Sequence, residues 1–266
     1  MTHTRDARLA FDPVGHVYWW DGARVGMSVT SLWQSFFPSF DGDATIQKYF
    51  PAWLANPKSK YSALCRYLAL VKGADEAAQK HAIAALWEAN RSHAAALGTA
   101  LHAAIEMHLQ TGQLPDNAHT MPELCQYLQW RADVASDWVP IKVEYRIYDE
   151  KADVAGTIDS LWKDRTGRLV LVDWKRCGKG KLEEKAYRGE TGSGPCAALA
   201  NTSLGHYTAQ QNLYAKILAR NYGVTVDRIY LVQLHPDLAK YRWVPVPLMP
   251  ELAESMLIWC EAQREA

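Results

Sequence analysis

Apolar residues recur at helical spacing over a long central stretch of the chain. Between residues 75 and 109 they return every three or four positions, and Gly112 follows as a stop signal. The spacing predicts one long helix, or two helices broken near Gly98. A second helix is predicted over residues 121–138.

The period then changes from helical to alternating. Three β-rich stretches are separated by short polar turns, and they cover residues 142–148, 154–163 and 168–175. A helix, a strand and a closing helix are predicted after them, at residues 205–220, 228–235 and 250–265. This order predicts an α/β fold with one central mixed sheet flanked by helices.

The N-terminal part has a different pattern. Aromatic and turn residues over 11–27 predict a small hairpin, and the stretch before Pro38 predicts a short helix. Residues 41–73 mix aromatic residues with prolines and predict further short helices. We therefore expect an accessory region over residues 1–78 and a core domain over residues 79–266.

Composition narrows the functional classes only modestly. The 266 residues are 48% hydrophobic, enough for one core with a modest appended lobe. No apolar run of about 18 residues and no signal-peptide pattern occur, so we expect a cytoplasmic or other intracellular protein without membrane partners.

Five cysteines without a CxxC pair suit reduced thiols. Basic and acidic residues balance, so nucleic-acid binding would require local basic patches.

The strongest chemical signal is the pair of motifs GTID, ending at Asp159, and LVDWK, ending at Lys175. Alternate residues of a strand point to the same face, so Asp173 and Lys175 project from one face of the strand and Trp174, between them in sequence, projects from the other. A hairpin partner strand can bring Asp159 beside them. Paired carboxylates attract a hard cation such as Mg²⁺ or Mn²⁺, and a neighbouring ammonium can orient an attacking water.

A simpler interpretation is that these are ordinary polar ends of strands, because a motif such as DxK is common by chance. Asp173, however, follows the apolar run LVLV, where a carboxylate without a partner is costly. A zinc hydrolase is disfavoured, since HExxH is absent and the aspartate ligands are hard.

The ordered motifs resemble the RecB-like exonucleases of the PD-(D/E)XK superfamily, over roughly residues 85–236. The resemblance is closest to the branch with the mitochondrial genome maintenance exonuclease and related viral and phage exonucleases. The matching residues are Gly98, His102 and Glu106 in GTALHAAIE, Glu144 in VEYRIY, then GTID and VDWKR, and finally Gln210 and Tyr214 in QQNLY. The resemblance implies a restriction-endonuclease-like core and Mg²⁺-dependent DNA exonuclease activity, with Mn²⁺ as a substitute.

The same resemblance implies roles for individual residues. The metal ligands would be His102, Asp159, Asp173 and the backbone carbonyl of Trp174, with Lys175 as the catalytic lysine. Gln210 and Tyr214 would contact DNA beside the site, and Glu106 and Glu144 would be outer-shell partners or further ligands. Without a four-cysteine cluster, no iron–sulfur cofactor is expected. The implied partner is DNA, single-stranded or with free ends, together with replication, recombination or repair proteins. A phage or viral source would fit.

A basic run follows the second motif. Arg176, Lys179 and Lys181, with Lys185 and Arg188 beyond them, form either a solvated loop or a phosphate-contacting strand guide. Two rival functions stay open: a non-catalytic nucleic-acid-binding protein on the same fold, and a structure-specific or restriction-type endonuclease.

Overall fold

The computed structural model describes residues 3–183 and 189–265. It separates into two compact units, one formed by Met1–Pro38 with Ala100–Ala266 and the other by Ser39–Thr99. This division differs from the boundary expected after residue 78. The physical reason is that the N-terminal segment packs against the strands of the larger unit.

The N-terminal hairpin is present as predicted. β1 (Leu9–Asp12), β2 (Val17–Trp20) and β3 (Ala23–Arg24) form a small antiparallel sheet. Between β1 and β2, the Asp12 carboxylate accepts hydrogen bonds from the backbone N–H groups of the turn. The turn ends at His16, whose φ of 50° lies in the left-handed region. The short β4 (Met27–Ser28) then leads into α1 (Val29–Gln34), and Ser28 caps that helix.

A six-stranded mixed sheet forms the centre of the larger unit. Its other strands are β5 (Val139–Asp149), β6 (Val154–Lys163), β7 (Leu169–Arg176), β8 (Arg228–Leu234) and β9 (Arg242–Val246). The order along the sheet is β4-β6-β7-β8-β9, and β5 pairs with the other edge of β6. β7 and β8 run parallel, as do β4 and β6, whereas the other pairs are antiparallel.

The last strand, β9, was not predicted from the sequence. Pro245 lies inside it and Pro247 follows it, and proline argues against a central strand. β9 pairs only with β8 within the described residues, so it is an edge strand, where a missing N–H is tolerated.

Helices cover both faces of this sheet. α6 (Ser203–Tyr222) and α7 (Pro250–Glu265) pack on one face together with α1, around a core that includes Ile158, Leu213 and Leu231. On the other face lie α5 (Pro122–Asp133) and the end of α4 (Glu76–Thr111). That second core is dominated by tryptophans, namely Trp130, Trp138, Trp162 and Trp174, with Trp243 at its edge. The coarse α/β prediction is therefore confirmed.

The smaller unit is helical. α2 (Gly42–Ala55), α3 (Lys60–Lys72) and the first part of α4 enclose a core of Ile46, Phe50, Cys65 and Ile83. α4 is one continuous helix through Gly98, so the version broken at that residue is wrong. Within residues 3–183 and 189–265, no helix combines the length and apolar character that a membrane crossing requires.

One edge of β6 is left uncovered in its middle. β7 pairs with this edge at residues 160–163, and β4 pairs with it at residues 154–155. The GTID residues 156–159 lie between the two, and no described strand pairs with them there. The sequence motif thus lies where the sheet opens into a cleft.

Candidate functional site

Three carboxylates lie on neighbouring strands at this opening, and two of them, Glu144 and Asp159, line it while Asp173 is buried behind them. The register of the adjacent pairs places Glu144 of β5 opposite Asp159 of β6. One step beyond the last β6–β7 pair, Asp159 falls opposite Asp173 of β7. Glu144 also has a φ of 47°, in the left-handed region that non-glycine residues rarely adopt. Such strain persists only where surrounding structure enforces it.

The crowding of these acids changes their titration. Burial, together with the negative charges of Asp159, Glu106 and Asp173, raises the pKa of Glu144 to about 8. Burial and the Asp159 carboxylate likewise raise the pKa of Asp173. Like charges this close disfavour simultaneous ionisation unless a positive charge joins them.

Lys175 supplies one such charge. Its ammonium lies 2.7 Å from Asp173 Oδ2, and its side chain is only 16% exposed. Burial lowers the pKa of Lys175, but the Asp173 and Asp159 carboxylates outweigh it, and the net shift is upward. The ammonium also lies 4.3 Å from the ring centroid of Tyr207. Asp173 Oδ1 accepts a hydrogen bond of 2.7 Å from the fully buried Gln211.

His102 of α4 approaches the same point from the opposite face of the sheet. Its Nε2 lies 2.9 Å from the carbonyl oxygen of Trp174, and its Nδ1 lies 3.6 Å from Asp159 Oδ2. Because a carbonyl only accepts, Nε2 must carry the proton in this hydrogen bond. In the neutral imidazole, the Nδ1 lone pair then faces a carboxylate oxygen, and a proton or a cation between them would relieve the repulsion. Asp159 Oδ2 is held in place by the backbone N–H of Trp174, at 2.9 Å.

His102, Glu144 and Asp159 each offer a ligand atom, and these atoms lie within 4.8 Å of one another. Among the described residues this is a group suited to hold a metal ion. His102 and Asp159 belong to the predicted ligand set, and Glu144 was expected as an outer-shell partner or further ligand. Asp173, the remaining predicted side-chain ligand, lies outside this group and is engaged by Lys175 and Gln211. The Trp174 carbonyl borders the group through His102.

A cavity of about 230 Å³ opens beside the carboxylates. Gln210 and Tyr214, the predicted DNA-contacting pair, both line it. Gln210 lies within 3.4 Å of the Tyr214 hydroxyl and of Thr30 Oγ1. Gly156 lets Tyr214 approach the sheet, because a Cβ at this position would lie 2.6 Å from Tyr214 Cε1.

The remaining predicted residues differ in their accessibility. Glu106 is half-buried and accepts a hydrogen bond from Gln110, and it acts on the site through its charge. Arg176 forms an ion pair with Glu123 at 2.6 Å and is 13% exposed, so its guanidinium is already paired within the protein. Lys179 and Lys181 are exposed. Lys185 and Arg188 lie outside the described residues.

Sequence reasoning missed several residues of the site. Tyr207 and Gln211 were not predicted as site residues. They are four positions apart and Tyr214 follows three positions later, and this spacing places all three on one face of α6. Phe11, His16 and Tyr18 of the hairpin also line the cavity, and no sequence signal linked them to motifs more than a hundred residues away.

Comparisons with known proteins give no family assignment. No family profile matches the sequence, and no curated protein matches it. A solved structure titled "Crystal structure of SSO0001" is 15% identical, and the match covers 82% of this chain and 85% of that one with a TM-score of 0.29. A likeness at that TM-score supports no conclusion about function.

Proposed function

We propose that this chain is a Mg²⁺-dependent DNA nuclease that hydrolyses phosphodiester bonds, acting as an exonuclease on single strands or strand ends. The fold would be a restriction-endonuclease-like core. The observation that carries the proposal is the convergence of Glu144, Asp159 and Asp173 with His102 and Lys175 at one opening of the sheet.

The residues fit a divalent cation on their own chemistry. Glu144 and Asp159 provide hard oxygen ligands, and the Nδ1 lone pair of His102 faces the same point. Without a cation, burial and the neighbouring carboxylates both disfavour the charged form of Glu144 and raise its pKa. Asp173 and the Trp174 carbonyl lie beside the group, where Asp173 holds Lys175 and the carbonyl accepts a hydrogen bond from His102. When bound, Mg²⁺ supplies Lewis-acid polarisation of a phosphate and acidification of a water.

Lys175 has a separate task in the proposed reaction. Its raised pKa keeps it an ammonium, so it donates hydrogen bonds and does not act as the base. Asp173 and the Tyr207 ring fix its position beside the carboxylates. There it orients a water for attack and stabilises the negative charge that develops on the phosphate.

Features around the site support a nucleic-acid substrate. Gln210 offers an amide beside the carboxylates, and Tyr214 forms the cavity wall behind it. Lys179 and Lys181 are exposed shortly after β7 and are available for phosphate contacts. The choice of exonuclease over endonuclease comes from the motif resemblance, since His102 belongs to that pattern.

Digestion of labelled DNA tests the proposal. Linear strands labelled at the 5′ or 3′ end and closed circular DNA are incubated with the protein in Mg²⁺, Mn²⁺ or chelator. We expect loss of linear strands in either metal, no cleavage in chelator, and intact circles. Cleavage of circles would favour the endonuclease, whereas binding without cleavage would favour the non-catalytic alternative.

Matched variants locate the activity. Lys175→Ala and Asp173→Asn should each lower the rate at least about a thousandfold, because each removes a group acting on the transition state. Lys163→Ala removes an exposed lysine at the far end of β6 and should leave the rate unchanged. Full activity of Lys175→Ala in folded protein would refute the assignment.

A further inference from the structure

The N-terminal hairpin forms a wall of the candidate active site. Phe11, His16 and Tyr18 line the same cavity as Glu144 and Asp159. The Tyr18 hydroxyl lies 2.8 Å from Thr157 Oγ1, which ties the hairpin directly to the GTID segment. The hairpin is therefore held at a fixed position relative to the carboxylates.

A second cavity continues from the first along the hairpin. This second cavity has a volume of about 220 Å³, and His16, Tyr18 and Ser28 line both cavities. Its other lining residues include Arg24 and Ser31. The two adjoining cavities fall together within the range of about 300–1,000 Å³ that is usual for ligand sites.

The lining of this groove suits a nucleotide. The His16 ring is exposed and packs edge-on against Phe11, with centroids 5.1 Å apart, which leaves a face of the imidazole open to stacking. Arg24 is also exposed and brings a positive charge to the far end of the groove. The other end of the groove carries the carboxylates of Glu144 and Asp159. A phosphate there requires a cation to offset their charge, whereas a phosphate near Arg24 does not.

We propose that the groove between the hairpin and α1 is a binding subsite for the nucleotide next to the scissile phosphate of a single DNA strand. The base stacks on His16, and the adjoining phosphate pairs with Arg24. Ser28 and Ser31 offer hydroxyl groups between them. The inference rests on the proposed nuclease function and assigns the hairpin a positioning role in it.

Two substitutions test the subsite without touching the carboxylates. His16→Asn removes the ring but tolerates the left-handed backbone, which asparagine adopts readily. Arg24→Gln removes the charge. Two controls match them: Trp19→Ala removes an exposed aromatic residue on the opposite face of β2, and Arg165→Gln removes a charge in the β6–β7 turn.

Two readouts separate this proposal from the nuclease proposal. Binding of a fluorescein-labelled single-stranded oligonucleotide is measured by anisotropy in Ca²⁺, and its cleavage is followed in Mg²⁺. His16→Asn should weaken binding about fivefold, the low end of base stacking. Arg24→Gln should weaken it and reduce the salt dependence of log Kd by about 0.7. In cleavage, both should raise KM more than they lower kcat.

The outcomes are distinct. Unchanged Kd and KM in both variants, with active wild-type protein, would overturn the subsite alone. Wild-type protein that binds through His16 and Arg24 but cleaves nothing would keep the subsite and overturn the nuclease. Equal losses in Trp19→Ala and Arg165→Gln would also overturn the subsite, because the effect would then be unspecific.

Discussion

Replacing Glu144 by glutamine should stabilise the metal-free protein at alkaline pH. Glu144 has a pKa near 8 in the folded chain and an ordinary value of 4.5. Between these values the folded state holds a proton that the unfolded state has lost. Stability therefore falls as pH rises from about 4.5 to about 8, and stays low above that. Glutamine has nearly the same shape and cannot ionise, so the variant escapes this loss.

The size of the effect follows from the shift. Each unit of pKa difference corresponds to about 1.4 kcal/mol, which sets an upper limit of about 5 kcal/mol. Because Glu144 lines a cavity that water can enter, we expect about half of this limit, about 2–3 kcal/mol. For a chain of this size that equals a rise in Tm of about 5–10 °C at about pH 9. At about pH 5 the two proteins should be nearly equal.

Thermal unfolding followed by circular dichroism provides the assay, in chelator, for wild type and Glu144→Gln across this pH range. The decisive quantity is the difference in Tm as a function of pH. A difference independent of pH, or a variant less stable than wild type at about pH 9, would contradict this prediction, because ionisation of Glu144 would then not destabilise the folded state. Saturating Mg²⁺ should shrink the difference, since a bound cation neutralises the group.

Two further substitutions test the packing beneath the site. Gly156→Ala should lower the free energy of unfolding by about 1–3 kcal/mol and lower activity, because its Cβ would collide with Tyr214. Its control, Gly98→Ala, places a Cβ in open space on α4 and should raise the free energy of unfolding by about 1 kcal/mol. Equal effects would show that Tyr214 is not packed as described. Gln211→Met should cost about 1–3 kcal/mol in urea unfolding, because the buried carboxylate of Asp173 loses its amide donor. An unchanged midpoint would contradict that hydrogen bond.

Local patterns predicted most of the larger unit. The strands around GTID and VDWK, and helix α6, follow from alternation and helical spacing, and both signals are contained within single segments. The convergence of Asp159 with Asp173 was predictable for the same reason, since a hairpin joins their strands. β9 was missed because Pro245 argues against a strand unless its edge position is known.

Long-range contacts were beyond the sequence. Glu144 was expected at the site only through the motif resemblance, and no local pattern indicates its left-handed φ in β5. The hairpin reaches the cavity through contacts that span more than a hundred residues, namely the parallel pairing of β4 with β6 and the hydrogen bond between Tyr18 and Thr157. Arg176 was expected at DNA, but its nearest partner proved to be Glu123 from a distant helix.

Calorimetric titration with Mn²⁺ measures whether the side chains at the opening of the sheet share one divalent cation. Wild-type protein should bind Mn²⁺ saturably, and Asp159→Asn should bind it at least about tenfold more weakly, since it loses a charged ligand. Asp237→Asn, at an exposed carboxylate outside this opening, should bind like wild type. No binding by wild type, or equal binding by Asp159→Asn, would contradict the account.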